Sequence, residues 1–323
     1  QRFTVVTGVS GSGKSTFCRE VLFENLSRRL KDAQAPLAGT DQLTGFENVG
    51  RVLEVDQTPI GKNSRSCPAT YIGIMTAIRD LYAATNEAQA RGYDASRFSF
   101  NKAVGACPVC AGQGLRTVEM NFLPDVKVLC EACAGKRFNP ETLEVLWRGK
   151  SIGDVLEMEI DEAVDFFASM PSIAYPLKLM QDVGLGYLTL GQPSPTLSGG
   201  EAQRLKLVTE LAKVRTDGSF AARAPHTLYV LDEPTVGLHM TDVDRLSKVL
   251  SRLVDAGSTV VVIEHNLDIA ADADWIIDLG PEGGAKGGKV VAQGSPKMVA
   301  RKNTATGIVL RAFLAEHKPV KSA

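Results

Sequence analysis

Gly8-Val9-Ser10-Gly11-Ser12-Gly13-Lys14-Ser15 is the stretch that decides how the rest of the chain is read. It follows Phe3 to Thr7, a β-branched apolar run, and precedes Thr16 to Leu30, whose apolar residues recur at roughly helical spacing. Strand, glycine-rich loop and helix in that order are the context a phosphate-binding loop requires, and they argue against a merely flexible glycine turn. Gly8, Gly11 and Gly13 let the backbone curl so that its N–H groups and the helix N-terminus face phosphate oxygens. Lys14 is expected on the β- and γ-phosphates, Thr16 beside them at the helix start, and Ser15 offers a hydroxyl to Mg2+, a hard cation that takes oxygen ligands.

Further along, strands alternate with helices. A strand over Leu228 to Leu231, a helix over Val243 to Ala256, a strand over Thr259 to Ile263 and a glycine-rich turn over Gly280 to Gly288 predict an α/β fold. Its sheet should be largely parallel, with helices on both faces. The apolar run Leu228-Tyr229-Val230-Leu231 ends in Asp232 and Glu233, at the carboxyl edge of the sheet, where ligands bind in such folds. Asp232 is expected to hold the Mg2+ shell and Glu233 to orient or polarise an attacking water, because phosphoryl transfer needs positioning and charge stabilisation. Taken alone, two acids at a strand end are as readily a solvated turn. Leu197-Ser198-Gly199-Gly200-Glu201-Ala202-Gln203-Arg204 opens another helix, expected over Glu201 to Lys213. Ser198, Gly199 and Gly200 there give an amide cluster suited to an anion, although a plain N-cap has the same composition.

Between these motifs the chain changes character. Ala69 to Glu87 is helical in composition, and helical patterns return from Ser151 to Val183 with Ser151 as N-cap. From Lys102 to Gly135 cysteines and glycines replace helical periodicity. Cys107, Cys110, Cys130 and Cys133 form two C-x-x-C knuckles separated by nineteen residues, close to the spacing of a structural zinc site. Four thiolates close the tetrahedral shell of Zn2+, so the metal would hold a segment too short to build its own core. A redox pair is the alternative, and paired knuckles favour the metal. Cys18 and Cys67 read as ordinary thiols.

The 323 residues carry a formal net charge of -1 and are 44% hydrophobic, an ordinary globular composition that neither supports nor excludes a polyanionic partner. No apolar run approaches the roughly 20 residues of a membrane span, and neither an export signal nor a disulfide framework is visible. A cytoplasmic setting without membrane contact is expected, and the strand beginning almost at Gln1 suggests a piece of a longer protein. The expected division is 1–100 for the first part of the nucleotide-binding core and the start of a helical subdomain, 101–140 for the zinc module, 141–213 for the helical subdomain, and 214–323 for the rest of the core.

LSGGEAQR resembles the signature motif of ABC ATPases almost letter for letter. That resemblance implies ATP and Mg2+ as ligands, hydrolysis of ATP, and a second ABC half whose phosphate-binding loop meets this signature across a shared nucleotide. It extends to Gln57 as the Q-loop glutamine and to His265, in Ile263-Glu264-His265-Asn266, as the switch histidine. Transporter halves hold their phosphate loop and signature much closer together than the 184 positions between Lys14 and Ser198, and SMC-type proteins need heptad repeats that this chain lacks. The inserted cysteine module, together with VDQTPIGKNSRSCPATY, VEMNFLPDV, TLSGGEAQRLKL, LYVLDEPTVGLH and VIEHNLD followed by ADWIIDLGPEGG, is similar to the C-terminal half of the UvrA family over nearly the whole chain.

The resemblance implies a damage-sensing ATPase of nucleotide excision repair that binds damaged duplex DNA, dimerises, and recruits a UvrB-like helicase through an N-terminal half outside this sequence. UvrA-like proteins linked to resistance to DNA-binding drugs are the alternative. Val104-Gly105-Ala106 departs from the family's glycine-glycine-arginine step, and the connection from Lys213 to His226 is longer than usual. Arg116, Lys127, Lys136 and Arg137 cluster around the knuckles, as candidate phosphate contacts or as a solvated face, and Phe122 is a candidate wedge or a packing residue.

Overall fold

The computed structural model describes residues 1–61, 63–118, 120, 126–213 and 225–316. Phe122, most of VEMNFLPDV and positions 214–224 of the long connection lie outside them. Among the described residues ten strands run along the chain: β1 (Phe3–Gly8), β2 (Arg51–Val55), β3 (Leu115–Val118), β4 (Val126–Leu129), β5 (Leu146–Trp147), β6 (Lys150–Ser151), β7 (Thr227–Asp232), β8 (Thr259–Ile263), β9 (Trp275–Gly280) and β10 (Lys289–Gly294). The chain forms two compact units, one of Gln1–Gln57 with Lys213–Ala323, the other of Thr58–Ala212.

The first unit is an α/β layer structure around a six-stranded sheet in the order β10-β9-β1-β8-β7-β2. β2, β7, β8, β1 and β9 are parallel, and β10 closes the edge antiparallel to β9. β1 is buried along its whole length, as a central parallel strand with helices on both faces must be, which explains why it lacks the charged residues of a strand with a solvated face. Helix Met240–Asp255 turns Val243, Leu246, Val249, Leu250 and Leu253 inward at helical spacing. The helix after the phosphate-loop motif runs with π-type turns over Thr16–Glu24 and as α-helix over Asn25–Arg29, and its Cys18 and Leu26 join Val6, Val230, Ile263 and Leu279 in the core. Pairing in register sets Val6 beside Ile263 and Ile263 beside Asp232, so the loops after β1, β8 and β7 leave from one edge.

The second unit is mainly helical and carries the two small hairpins β3–β4 and β5–β6. Tyr82, Phe98, Phe100, Phe138 and Phe167 are fully buried in its core. The stretch of helical composition from Ala69 to Glu87 forms three helices: Pro68–Tyr71, Met75–Ala83 and Asn86–Ala90. Gly73 at φ +83° ends the first, and Thr85, whose hydroxyl accepts from the Ala88 N–H, caps the third. Ser151 to Val183 is likewise three helices, the last starting at Pro171. Ser151 does cap the first, in a reciprocal box with Asp154: Ser151 Oγ accepts from the Asp154 N–H at 3.1 Å, and Asp154 Oδ2 accepts from the Ser151 N–H at 2.8 Å. No described helix is long and apolar enough to cross a membrane.

Candidate nucleotide site and metal centre

The loop after β1 takes left-handed backbone at Gly8, Gly11 and Gly13, with φ of +141°, +74° and +89°. At Gly8 the fit leaves no alternative, since a Cβ there would stand 2.1 Å from the Leu279 carbonyl oxygen. Lys14 is 7% exposed, and its ammonium donates to the carbonyls of Gly8 at 3.1 Å and Val9 at 3.0 Å. Burial pushes its pKa down, against the opposing pull of the Glu233, Asp232 and Asp278 carboxylates. The glycine-rich turn between β9 and β10 braces the loop, with the Gly284 N–H donating to Gly11 O at 3.1 Å and the Gly288 N–H to Ser12 O at 2.9 Å. Asp278, 2% exposed, accepts from Thr7 Oγ1 at 3.0 Å and Thr306 Oγ1 at 2.6 Å, which ties the base of the loop to the C-terminal helix.

Asp232 ends β7 and Glu233 follows in left-handed backbone at φ +44°, held there by its N–H donating to Ile263 O at 2.9 Å. Gln57 Nε2 donates to the Asp232 carbonyl at 3.4 Å. His265 Nε2 lies 3.7 Å from Glu233 Oε1, with side chains 51% and 44% exposed. Lys14, Asp232, Glu233, Gln57 and His265 therefore share one edge of one unit, as does Ser15, the N-cap of the following helix, with Thr16 its first residue. Glu264, 2% exposed, was not singled out in the sequence and ties the edge together. Its Oε1 accepts from the N–H of Thr235 at 2.9 Å and the hydroxyl of Thr235 at 2.6 Å, and its Oε2 from the N–H groups of His265 at 2.8 Å and Asn266 at 3.1 Å. One buried carboxylate thus joins the loop after Glu233 to the loop bearing His265, because charge-assisted bonds to four donors offset its desolvation.

Ser198, Gly199 and Gly200 belong to the second unit, at the start of helix Gly199–Leu211. Ser198 Oγ accepts from the Glu201 N–H at 3.3 Å, and Glu201 Oε2 accepts from the Ser198 N–H at 2.7 Å. The helix thus has the capping box as well as the open glycine amides, so the N-cap and anion-site readings of these residues are compatible.

Cys107, Cys110, Cys130 and Cys133 are buried, unbridged, and bring their sulfurs within 4.8 Å of one another. The short pairs run between knuckles, Cys107 to Cys130 at 3.9 Å and Cys110 to Cys133 at 3.7 Å. A tetrahedral zinc with sulfur at about 2.3 Å sets its ligands roughly 3.8 Å apart, so the cluster fits that ion. The two knuckles repeat one backbone: φ is 49° and 76° at Ala111 and Gly112, 47° and 86° at Ala134 and Gly135. Burial pushes the Cys133 thiol up to about 12 and raises Cys110 as well, while at Cys130 hydrogen bonds from Cys133 and Ala132 outweigh burial and lower it. Cys18 and Cys67 stand apart as buried free thiols.

The basic residues near the knuckles divide. Arg116 and Lys127 are exposed on the β3–β4 hairpin. Lys136 Nζ pairs with Asp154 Oδ1 at 2.6 Å. Arg137 is only 4% exposed, so it is no phosphate contact: its guanidinium donates to the carbonyls of Ser64 and Gly191, each at 2.7 Å, inside the unit. Ala106, at the position of the missing family arginine, is buried and bridges to Phe138.

A parallel sheet with this edge, joined to a helical unit bearing the LSGGE helix and a four-cysteine cluster, defines an ABC-type P-loop ATPase fold with an inserted cysteine module. No protein-family model matches the chain. It is 57% identical over 314 residues to UvrABC system protein A of Thermus thermophilus, covering 97% of this chain and 32% of that protein. With UvrABC system protein A of Bacillus subtilis it shares 53% over 317 residues, covering 98% and 32%. The crystal structure of UvrA2 from Deinococcus radiodurans matches with a TM-score of 0.84 at 48% identity, over 96% of this chain and 37% of that one. The chain belongs to the UvrA family, and it spans about a third of the length of the curated relatives it matches.

Proposed function

We propose that this chain is the ATP-binding and ATP-hydrolysing half of a UvrA-type DNA-damage recognition protein of nucleotide excision repair, working in the cytoplasm. The arrangement that carries the reading is the shared edge of Lys14, Asp232, Glu233, Gln57 and His265. Gly8, Gly11, Gly13 and Thr16 cradle the phosphates with backbone N–H groups, and Lys14 exchanges its two carbonyl partners for phosphate oxygens. Ser15 and Asp232 hold Mg2+, which when bound neutralises charge on the β- and γ-phosphates. Gln57 reports the state of that shell from the Asp232 end, Glu233 takes the proton of the attacking water, and His265 orients Glu233.

Ser198, Gly199 and Gly200 serve a nucleotide held by a second ABC half, which makes ATP the bond between halves. Residues 101–140 form the zinc module, inserted between 1–100, which holds the first part of the core and the start of the helical subdomain, and the helical segment 141–213, with 214–323 completing the core. Cys107, Cys110, Cys130 and Cys133 hold Zn2+ structurally. The whole protein is a homodimer on damaged duplex DNA, with a UvrB-like helicase as partner. Fluorescent duplexes with and without one bulky lesion test the reading across salt and nucleotide states. Preference for the lesion that changes with nucleotide is expected, and equal affinity for both duplexes in every state contradicts it.

A further inference from the structure

Arg137, a candidate phosphate contact or part of a solvated face by its place beside the knuckles, is buried, and its burial leaves it with another task. Its backbone is tied to the cysteine cluster, four residues after Cys133, by its carbonyl, which accepts from the Cys107 N–H at 2.9 Å. The residue sits at φ +72°, a conformation that costs a non-glycine residue about 1 kcal/mol and persists where the surroundings impose it. From there the side chain crosses the face of Phe100, 5.2 Å from the ring centre, and its fork closes on Ser64 O and Gly191 O.

Ser64 lies seven residues after Gln57, and Gly191 seven residues before Ser198. The two segments so gripped also hold each other, since the Ser194 N–H donates to Ser66 O at 2.8 Å and the Ala69 N–H to Leu190 O at 3.0 Å. Lys206, on the signature helix, donates to Thr58 O at 2.7 Å and Thr58 Oγ1 at 2.8 Å, immediately after Gln57. A planar guanidinium spanning two carbonyls fixes distance and angle together, which a single ammonium does not.

We infer that Arg137 is a positioning residue through which the metal-held cluster sets the segments leading to Gln57 and to Ser198. The cluster's occupancy is thereby coupled to the two motifs given nucleotide-handling roles above. The inference rests on the roles given above to Gln57 and Ser198, but its structural half is testable without nucleotide.

Amide hydrogen exchange over residues 57–66 and 190–199, with metal content measured alongside, compares wild type and Arg137→Lys, each zinc-loaded and chelator-stripped. Arg137→Lys keeps the buried charge and most of the volume but loses the fork, so it disturbs folding less than Arg137→Ala. In wild type, stripping the metal should speed exchange in both segments by about tenfold, a usual size for coupled sites. In Arg137→Lys the same segments should exchange fast in both states while one zinc per chain is retained. An unchanged metal effect in the variant, no metal effect in wild type, or loss of zinc by the variant would each overturn the inference. Failure of the nucleotide reading shows elsewhere, as ATP binding indifferent to Lys14→Ala.

Discussion

His265 Nε2 stands 3.7 Å from Glu233 Oε1, just beyond hydrogen-bond length, and both side chains remain open to solvent at the carboxyl edge of the sheet. That spacing suits a base and the group that orients it, with closure to bonding distance left for the bound state. Glu233→Gln should keep ATP affinity within a few fold and lower the turnover rate by about a hundredfold or more, the usual range for a general base. His265→Ala should lower turnover in the same direction. Single-turnover measurements with radiolabelled ATP read both, and wild-type turnover in Glu233→Gln refutes the assignment.

Glu264 is the test of how that edge is held. Its carboxylate satisfies four donors on Thr235, His265 and Asn266, so Glu264→Ala strands buried N–H groups at about 1–3 kcal/mol for each one left unsatisfied. Glu264→Gln should be milder yet still costly, because one acceptor becomes a donor facing donors. Urea unfolding should show Glu264→Ala destabilised, and turnover should fall more than nucleotide affinity. Unchanged stability and turnover would mean the loops after Glu233 and before His265 are positioned by other contacts.

Metal binding should weaken in acid. Zinc takes thiolates, and without metal burial holds the Cys133 thiol near 12, well above neutrality. Loading therefore displaces protons, and zinc affinity should rise from pH 6 to pH 8 with measurable proton release. Cys130→Ser should bring zinc content from one per chain to none while the six-stranded unit stays folded, as read by metal analysis and circular dichroism. Full zinc content in that variant contradicts the ligand set.

A second pH effect belongs to Lys136 and Asp154. Burial raises the Asp154 pKa, but Lys136 and the Ser151 hydroxyl and N–H outweigh it and leave the carboxyl below its ordinary value. A folded pKa below the unfolded one adds stability above the unfolded value, near 3.9. That stability disappears as pH falls through the folded pKa. Asp154→Asn should therefore lower stability at pH 7 and reduce its loss below about pH 4, where wild type loses the same contribution. Parallel acid titrations of the two proteins contradict this.

The sheet was legible because parallel strands buried on both faces leave continuous apolar runs, and because the phosphate loop fixes strand, turn and helix within Phe3 to Leu30. The cysteine cluster was legible from spacing alone. Helix ends inside the second unit were not: Gly73 and Thr85 break a stretch whose composition is helical throughout. Glu264 and Asp278 escaped notice because an acid after or within an apolar strand looks alike whether it is solvated or buried under four donors or two. Arg137 was misread for the opposite reason. Its partners are backbone carbonyls, which leave no mark in side-chain sequence, and its burial depends on Ser64 and Gly191, both distant along the chain.

Titration of the wild-type chain and Lys14→Ala with a fluorescent ATP analogue in Mg2+ tests the central claim most directly. Saturable binding by wild type, displaced by ATP and lost by at least about tenfold in Lys14→Ala, which is roughly 1.4 kcal/mol, is the result expected of a phosphate loop whose buried ammonium takes up phosphate oxygens. Equal binding by the two proteins, or none by the folded wild type, would contradict it.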